Sequence, residues 1–150
     1  MGAFHLLALE DNEEYQKVLR SMLSKYPGRS RLDVDIISGV TTFEALMASD
    51  DRIDIFITDI DLGEGNPSGI ELVRRYFPAG SPTKVIYISG HVEFCTSVYQ
   101  TEHTYFLWSG KEKLDFLLRI LKRIVARIPL ETCSPRWNAC APYCNRALCT

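Results

Sequence analysis

The 150-residue sequence lacks long hydrophobic runs and any export signal. No stretch of about 18 apolar residues occurs, so no membrane-spanning segment is predicted. The N-terminal residues (MGAFH) contain neither a charged leader region nor a cleavage site, which argues against secretion. We therefore expect a cytoplasmic protein that does not contact a membrane.

The sequence also lacks an excess of basic charge. Its 17 Lys and Arg residues are balanced by 19 Asp and Glu residues, for a formal net charge of -2. A surface that binds nucleic acid needs clustered Lys and Arg, so direct binding of nucleic acid is not expected. The acidic residues concentrate in residues 1–110, and the basic residues are enriched in residues 111–150.

Metal-binding patterns of His and Cys are absent as well. His5, His91 and His103 occur one per segment, without the spacing of zinc ligands or of a nucleophile and its base. Most of the cysteines crowd into residues 130–150, at spacings unlike the C-x₂-C pairs of common zinc sites. We expect one domain over residues 1–129. Residues 130–150 are predicted to be a disordered tail or a segment foreign to the natural protein, with a metal clip or an oxidised tail as the alternative.

What the sequence does contain is an alternation of strand and helix patterns. The predicted strands are residues 4–9, 32–37, 53–58, 84–88 and 104–108. The predicted helices are residues 13–26, a segment capped by Thr41 or Thr42, and residues 70–77, 92–100 and 111–128. Right-handed βα crossovers place helices on both faces of a parallel sheet. The predicted fold is therefore α/β, a doubly wound (βα)5 domain with a parallel sheet. For its strand order we take 2-1-3-4-5, the flavodoxin-like arrangement of such sheets.

Polar side chains follow three of these strands where each strand ends. Glu10 and Asp11 follow the first strand, Asp59 follows the third, and Ser89 follows the fourth. Strands 1, 3 and 4 are neighbours in the predicted order, so these side chains should converge on one crevice. Three close carboxylates repel one another unless a cation lies among them, and Mg²⁺ or Mn²⁺ suits oxygen ligands. The alternatives are a solvated acidic rim and, for Asp59 alone, a turn cap.

The segments LLALEDN, IFITDIDLGEGNPSGIEL and VIYISG, in this order of elements, resemble the receiver domain of two-component response regulators. The resemblance covers residues 4–128. The surroundings of Asp59 and the segment EHTYFL are similar to receivers that precede LytTR-type DNA-binding domains. The resemblance implies a phosphoprotein of a two-component phosphorelay that is not an enzyme beyond self-phosphorylation and autodephosphorylation.

The resemblance also implies roles for individual residues. Asp59 would accept a phosphoryl group from the phosphohistidine of a histidine kinase. Asp11, and Glu10 directly or through water, would hold Mg²⁺, with the backbone carbonyl of Asp61 as a further ligand. Ser89 would bond a phosphoryl oxygen and move inward on activation.

Two further positions follow from the same resemblance. Tyr105 or Phe106 would be the aromatic switch residue, and the spacing does not choose between them. Gly69 fits the turn that starts the third helix, which is a backbone role.

One departure from the family pattern concerns the fifth strand. Receivers usually end this strand with a lysine followed by proline, whereas this sequence reads Leu107-Trp108-Ser109-Gly110-Lys111. The lysine slot falls at Ser109, or at Trp108 if the strand shifts by one residue. Lys111 either substitutes for the missing cation or is a solvated residue at a helix start.

Two functional classes compete on this evidence. In the first, phosphorylation of Asp59 changes the face formed by the fourth helix, fifth strand and fifth helix, which favours a homodimer. DNA would be contacted only through an output domain outside this chain. In the second, a degenerate pseudo-receiver serves as a phosphorylation-independent interaction or dimerisation module through its Leu-rich fifth helix. A third hypothesis, less favoured, is a Mg²⁺-dependent phosphatase of similar topology. Such enzymes pair the nucleophile with a second aspartate two residues on, which Asp61 supplies, but they also need a lysine that is not evident here.

Overall fold

The computed structural model describes residues 3–49, 51–90, 97–101, 105–108 and 114–127. Within them, strands and helices alternate along the chain. The strands are β1 (Phe4–Leu9), β2 (Leu32–Ile37), β3 (Ile55–Thr58), β4 (Lys84–Ser89) and β5 (Tyr105–Trp108). The helices are α1 (Glu13–Ser24), α2 (Val40–Ala48), α3 (Gly69–Tyr76) and α4 (Leu114–Arg127), with short 3₁₀ helices at Arg29–Arg31 and Ser97–Gln100.

The strands form one parallel sheet in the order β2-β1-β3-β4-β5, which confirms the predicted topology. The central strand β3 is buried along its whole length, because both faces of the sheet are covered. β2 is an edge strand and alternates more buried with exposed residues at its start, as its sequence pattern of apolar and acidic residues predicted.

Successive strand residues point to opposite faces and build two separate cores. On one face Leu6 and Ala8 of β1 pack with residues of α1 and α4, including Leu23 and Leu121. On the other face the core is aromatic: it contains Leu7 and Leu9 of β1 together with Phe43, Phe56, Tyr87 and Phe77. Phe43 stacks on Phe56 with ring centroids 5.1 Å apart. This double covering brings the carboxyl ends of β1, β3 and β4 together at one rim.

Several predicted helix limits are corrected by the structure. α1 ends at Ser24, short of Tyr26. α2 begins at Val40 with Gly39 as its N-cap and no side-chain cap, so the prediction of a cap at Thr41 or Thr42 is wrong. Both threonines lie inside the first turn, because the helix starts at Val40, before either of them.

Only parts of the fourth and fifth predicted helices lie within the described residues. Of residues 92–100, those described form the 3₁₀ helix Ser97–Gln100, and the rest lie outside the described residues. The fifth predicted helix corresponds to α4. No helix in the described part of the chain is both long and apolar enough to cross a membrane.

Candidate functional site

Three carboxylates meet at the rim formed by the carboxyl ends of β1 and β3. Oxygen atoms of Glu10, Asp11 and Asp59 all lie within 4.8 Å of one another. Glu10 is buried, Asp59 is half-buried and Asp11 is exposed. The structure therefore brings together the three acids that the sequence placed at neighbouring strand ends.

Backbone hydrogen bonds continue past the strands and hold these acids in register. The Glu10 amide donates to the carbonyl of Ile37 (3.0 Å), and the Asp59 amide donates to the carbonyl of Leu9 (3.3 Å). The Glu10 carboxylate accepts from the amide of Asn12 (3.0 Å), and the Asn12 side chain in turn caps α1. The acids on β1 are thus oriented by the start of the helix that follows them.

The two carboxylate oxygens of Asp59 differ in their surroundings. Oδ1 accepts hydrogen bonds from the amides of Ile60 (2.6 Å) and Asp61 (3.3 Å). Oδ2 accepts no hydrogen bond from the described part of the chain. Among the described residues, the carboxylate is therefore held through Oδ1.

Thr58 and Gly69 hydrogen-bond to the backbone carbonyls of Asp59 and Ile60. The Thr58 hydroxyl donates to the Asp59 carbonyl (2.8 Å), and the Gly69 amide donates to the Ile60 carbonyl (2.9 Å). A Cβ on Gly69 would lie 2.1 Å from the Asp59 carbonyl oxygen, far inside van der Waals contact. Gly69 thus has the backbone role that the sequence predicted, and Thr58 is a supporting residue that sequence reasoning missed. Its signal was a polar residue within the buried strand, directly before the aspartate.

The loop from Asp61 to Ser68 folds beside the acids through two turns. Gly63 has φ +91° and lies in the left-handed region, which glycine adopts without strain. The Asp61 side chain accepts from the Gly63 amide (3.1 Å), and the Asn66 side chain donates to the Leu62 carbonyl (2.9 Å). The Asp61 carboxylate is therefore engaged within the loop. Ser68 then forms a reciprocal capping box with Glu71 at the start of α3.

Burial and mutual repulsion disfavour the charged forms of two acids. Burial raises the pKa of Glu10 to about 7, assisted by the charges of Asp59 and Asp11 and opposed by the hydrogen bond from Asn12. Burial also raises the pKa of Asp59 to about 6, against the lowering effect of the Ile60 and Asp61 amides. No salt bridge of the described residues pairs these acids with a cation, and their mutual repulsion adds to the rise of both pKa values.

The acids line a cleft of about 280 Å³. Its lining residues are Glu10, Asp11, Asn12, Tyr15, Asp59, Asp61, Gly63, Ile88 and Gly90. Ser89 lies between two of these lining residues at the end of β4 and is only 1% exposed. Tyr15 of α1 also lines this cleft, a position that the sequence alone did not indicate.

Other predicted positions belong to β5 and beyond. Tyr105 and Phe106 stand in register with Ile86 and Tyr87 of β4, and Trp108 stands in register with Ser89. The choice of aromatic switch residue stays a prediction. The remaining predicted positions that lie outside the described residues are His91, His103, Ser109, Gly110, Lys111 and residues 130–150.

Comparison with known proteins identifies the fold. The sequence matches no protein-family model and no curated protein at a significant level. The response regulator TrrA of Thermotoga maritima, solved in complex with Mg²⁺-BeF, is 17% identical with a TM-score of 0.62, over 81% of this chain and 98% of that chain. A CheY-like receiver domain of Methylobacillus flagellatus is 20% identical with a TM-score of 0.63, over 82% of this chain and 99% of that chain.

A third solved structure, the CheY-like receiver domain of Methanospirillum hungatei JF-1, is 16% identical with a TM-score of 0.65, over 83% of this chain and 96% of that chain. All three are response regulators or receiver domains. The chain therefore has the fold of response regulator receiver domains, as the sequence predicted. The narrower likeness to LytTR-associated receivers stays a prediction.

Proposed function

We propose that this chain is a phosphoacceptor receiver domain in which Asp59 accepts a phosphoryl group from the phosphohistidine of a histidine kinase. The observation that carries the proposal is the convergence of Glu10, Asp11 and Asp59 at one rim of a receiver-type sheet. The solved TrrA structure, in complex with Mg²⁺-BeF, supports it by analogy of fold.

The donor set fits a hard divalent cation. Three carboxylates within 4.8 Å offer the oxygen ligands that Mg²⁺ and Mn²⁺ prefer. Glu10, Asp11 and Asp59 would hold the ion, together with the backbone carbonyl of Asp61. When bound, the ion supplies positive charge that offsets both the acids and an incoming phosphoryl group.

The chain's own residues prepare Asp59 as the nucleophile. Its pKa of about 6 leaves the carboxylate mostly ionised at neutral pH. The Ile60 and Asp61 amides hold Oδ1, so Oδ2 attacks phosphorus while the bond from phosphorus to the donor's imidazole nitrogen breaks. The electron pair of that bond returns to the imidazole, which takes up a proton, and Asp59 becomes an acyl phosphate.

The remaining roles extend the proposal to signalling. Ser89 would bond a phosphoryl oxygen, and Tyr105 or Phe106 would respond as the switch. Lys111 remains the candidate for the missing cation. This role entails a histidine kinase as partner and a homodimer through the predicted helix at residues 92–100, β5 and α4. It entails DNA contacts only through a separate output domain.

The test is phosphorylation by acetyl phosphate with Mg²⁺, measured by intact mass. We expect an adduct of one phosphoryl group on the wild type and none on Asp59→Asn. Asp51→Asn is the matched control, because Asp51 is an exposed aspartate that precedes β3 at the opposite rim of the sheet. An adduct that persists in Asp59→Asn, or a wild type that forms none, contradicts the proposal.

The second candidate is a phosphorylation-independent interaction module. The observation that favours it is the pairing of Trp108, rather than a lysine, with Ser89 in the sheet register. This candidate predicts no adduct and an oligomeric state that is the same with and without Mg²⁺ and acetyl phosphate. Light scattering on the samples used for mass measurement distinguishes the two candidates.

A further inference from the structure

One residue of α1, Gln16, holds the turn that carries the two acids after β1. The Gln16 side chain donates from Nε2 to the backbone carbonyl of Glu10 (2.6 Å). The backbone amide of Gln16 donates to the carbonyl of Asn12 (3.0 Å). Gln16 is half-buried, whereas the residues directly before and after it on α1 are exposed. The two hydrogen bonds of Gln16 therefore reach the backbone on either side of Asp11.

Both peptide groups that flank Asp11 are held by side chains. The Glu10 carbonyl belongs to the peptide group before Asp11 and accepts from the Gln16 side chain. The Asn12 amide belongs to the peptide group after Asp11 and donates to the Glu10 carboxylate (3.0 Å). Because a peptide group is planar, fixing both groups fixes the two backbone dihedral angles of Asp11. The direction in which the Asp11 side chain leaves the backbone is therefore fixed as well.

The Asp11 carboxylate has no comparable support of its own. It is exposed, and no N–H group of the described residues donates to it. Asp59 differs, because the amides of Ile60 and Asp61 donate directly to its Oδ1. The position of the Asp11 carboxylate therefore depends on the backbone that carries it, and Gln16 holds that backbone.

We propose that Gln16 is a positioning residue for the cation site, which it serves by fixing the backbone of Asp11 rather than as a ligand. The inference rests on the proposed function, in which Glu10 and Asp11 hold Mg²⁺ or Mn²⁺. Without the Gln16 donor, the peptide group before Asp11 is free to rotate and to bond water. Residues that hold a metal ligand in place typically contribute about 10- to 100-fold to metal affinity.

The test is the affinity of the full chain for Mn²⁺, measured by electron paramagnetic resonance of the free ion. Gln16→Met keeps the length of the side chain and removes its donor, so it should weaken Mn²⁺ binding about tenfold. Asp11→Asn should weaken it at least as much, which assigns the measured binding to the acidic site.

Ser24→Ala is the matched control. The Ser24 hydroxyl donates to the carbonyl of Ser21 (2.6 Å) at the other end of α1. This variant therefore loses the same kind of hydrogen bond away from the site. It should bind Mn²⁺ as the wild type does, and its urea midpoint in the presence of a chelator should be similar to that of Gln16→Met.

Gln16→Glu separates position from charge. Its side chain has the shape of glutamine, but an ionised carboxylate cannot donate to the Glu10 carbonyl. Its added negative charge by itself would strengthen the binding of a cation. A positioning role therefore predicts weaker Mn²⁺ binding than in the wild type, whereas an effect of charge alone predicts tighter binding.

Wild-type affinity in Gln16→Met, or tighter binding in Gln16→Glu, overturns the inference and leaves the phosphoacceptor role intact. A loss of affinity in Ser24→Ala equal to that in Gln16→Met also overturns it, because the effect then belongs to α1 as a whole. Binding that depends on Gln16 without formation of an acyl phosphate overturns the phosphoacceptor role alone. A wild type that neither binds Mn²⁺ nor forms an acyl phosphate overturns both.

Discussion

Acidic side chains lie at both rims of the sheet, but the two rims treat them differently. At the amino ends of the strands, Asp54 accepts from the Arg52 guanidinium (2.7 Å) and from the His5 amide (2.9 Å). Asp35 lies 2.9 Å from the His5 ring. At the carboxyl ends, Glu10, Asp11 and Asp59 crowd within 4.8 Å, and no salt bridge of the described residues includes them.

This difference separates the two rims by whether the acidic side chains pair with other described residues. The amino-end rim supplies its own partners, so its charges contribute to folding without help. At the carboxyl-end rim no salt bridge of the described residues supplies a cationic partner, so the proposed ion would supply the neutralising charge. Removal of one acidic charge should therefore lower the free energy of unfolding at the amino-end rim. At the carboxyl-end rim it should raise the free energy of unfolding when no metal is bound.

The largest expected effect is a break in the backbone support of the carboxyl-end rim. Gly69→Ala should lower the free energy of unfolding by about 3 kcal/mol, because the new methyl group collides with the Asp59 carbonyl. Urea denaturation measures this change. Gly39→Ala is the control: Gly39 has an extended backbone and its nearest contact would be 3.9 Å away, so its cost should stay well below that of Gly69→Ala. Equal losses of unfolding free energy in the two variants would contradict the close approach of Gly69 to the Asp59 carbonyl.

The next effect is that two Asp→Asn substitutions should change the free energy of unfolding in opposite directions. Asp54→Asn should destabilise the protein by about 2 kcal/mol, because Arg52 and the His5 amide lose a charged acceptor in a buried setting. Asp59→Asn should stabilise the metal-free protein by about 1 kcal/mol, because it removes one of three repelling charges. Denaturation in the presence of a chelator measures both. Destabilisation by Asp59→Asn would show that the acids are neutralised within the fold.

The last effect is a pH dependence of stability that belongs to the carboxyl-end rim. The folded pKa values of Glu10 (about 7) and Asp59 (about 6) lie above their usual values of 4.5 and 3.8. Between about pH 4 and pH 7 the folded state therefore binds more protons than the unfolded chain, and stability falls as pH rises. Without metal, the Tm should therefore drop as pH rises across this range.

Mg²⁺ should reverse the trend, since it binds the ionised carboxylates and stabilises more as pH rises. Thermal melts at a series of pH values, with Mg²⁺ or with chelator, measure both curves. Glu10→Gln combined with Asp59→Asn should flatten the metal-free profile. A profile in the variant as steep as that of the wild type would assign the pH dependence to other groups.

Much of the fold was predictable because its signals are local. The limits of β1 and β2 were predicted to the residue, since each apolar run stops at polar residues. The repeated βα unit predicted a parallel sheet, and the meeting of Glu10, Asp11 and Asp59 followed from the strand order that we took for it.

The features that escaped prediction depend on contacts between distant residues. The start of α2 was missed because its N-cap, Gly39, offers no capping side chain. The partner of the Tyr87 hydroxyl lies 14 residues away, and the partners of His5 lie 30 to 49 residues away. Such pairs form only when the chain is folded, so no local sequence pattern predicts them.

The edge strand β2 has a consequence for how copies of this chain can associate. Two of its six residues, Asp33 and Asp35, are exposed aspartates on the open side of the sheet. A second copy that added its own β2 there would bring aspartates close to aspartates, and like charges in facing positions destabilise strand pairing. We therefore expect pairing between the β2 strands of two copies to be disfavoured.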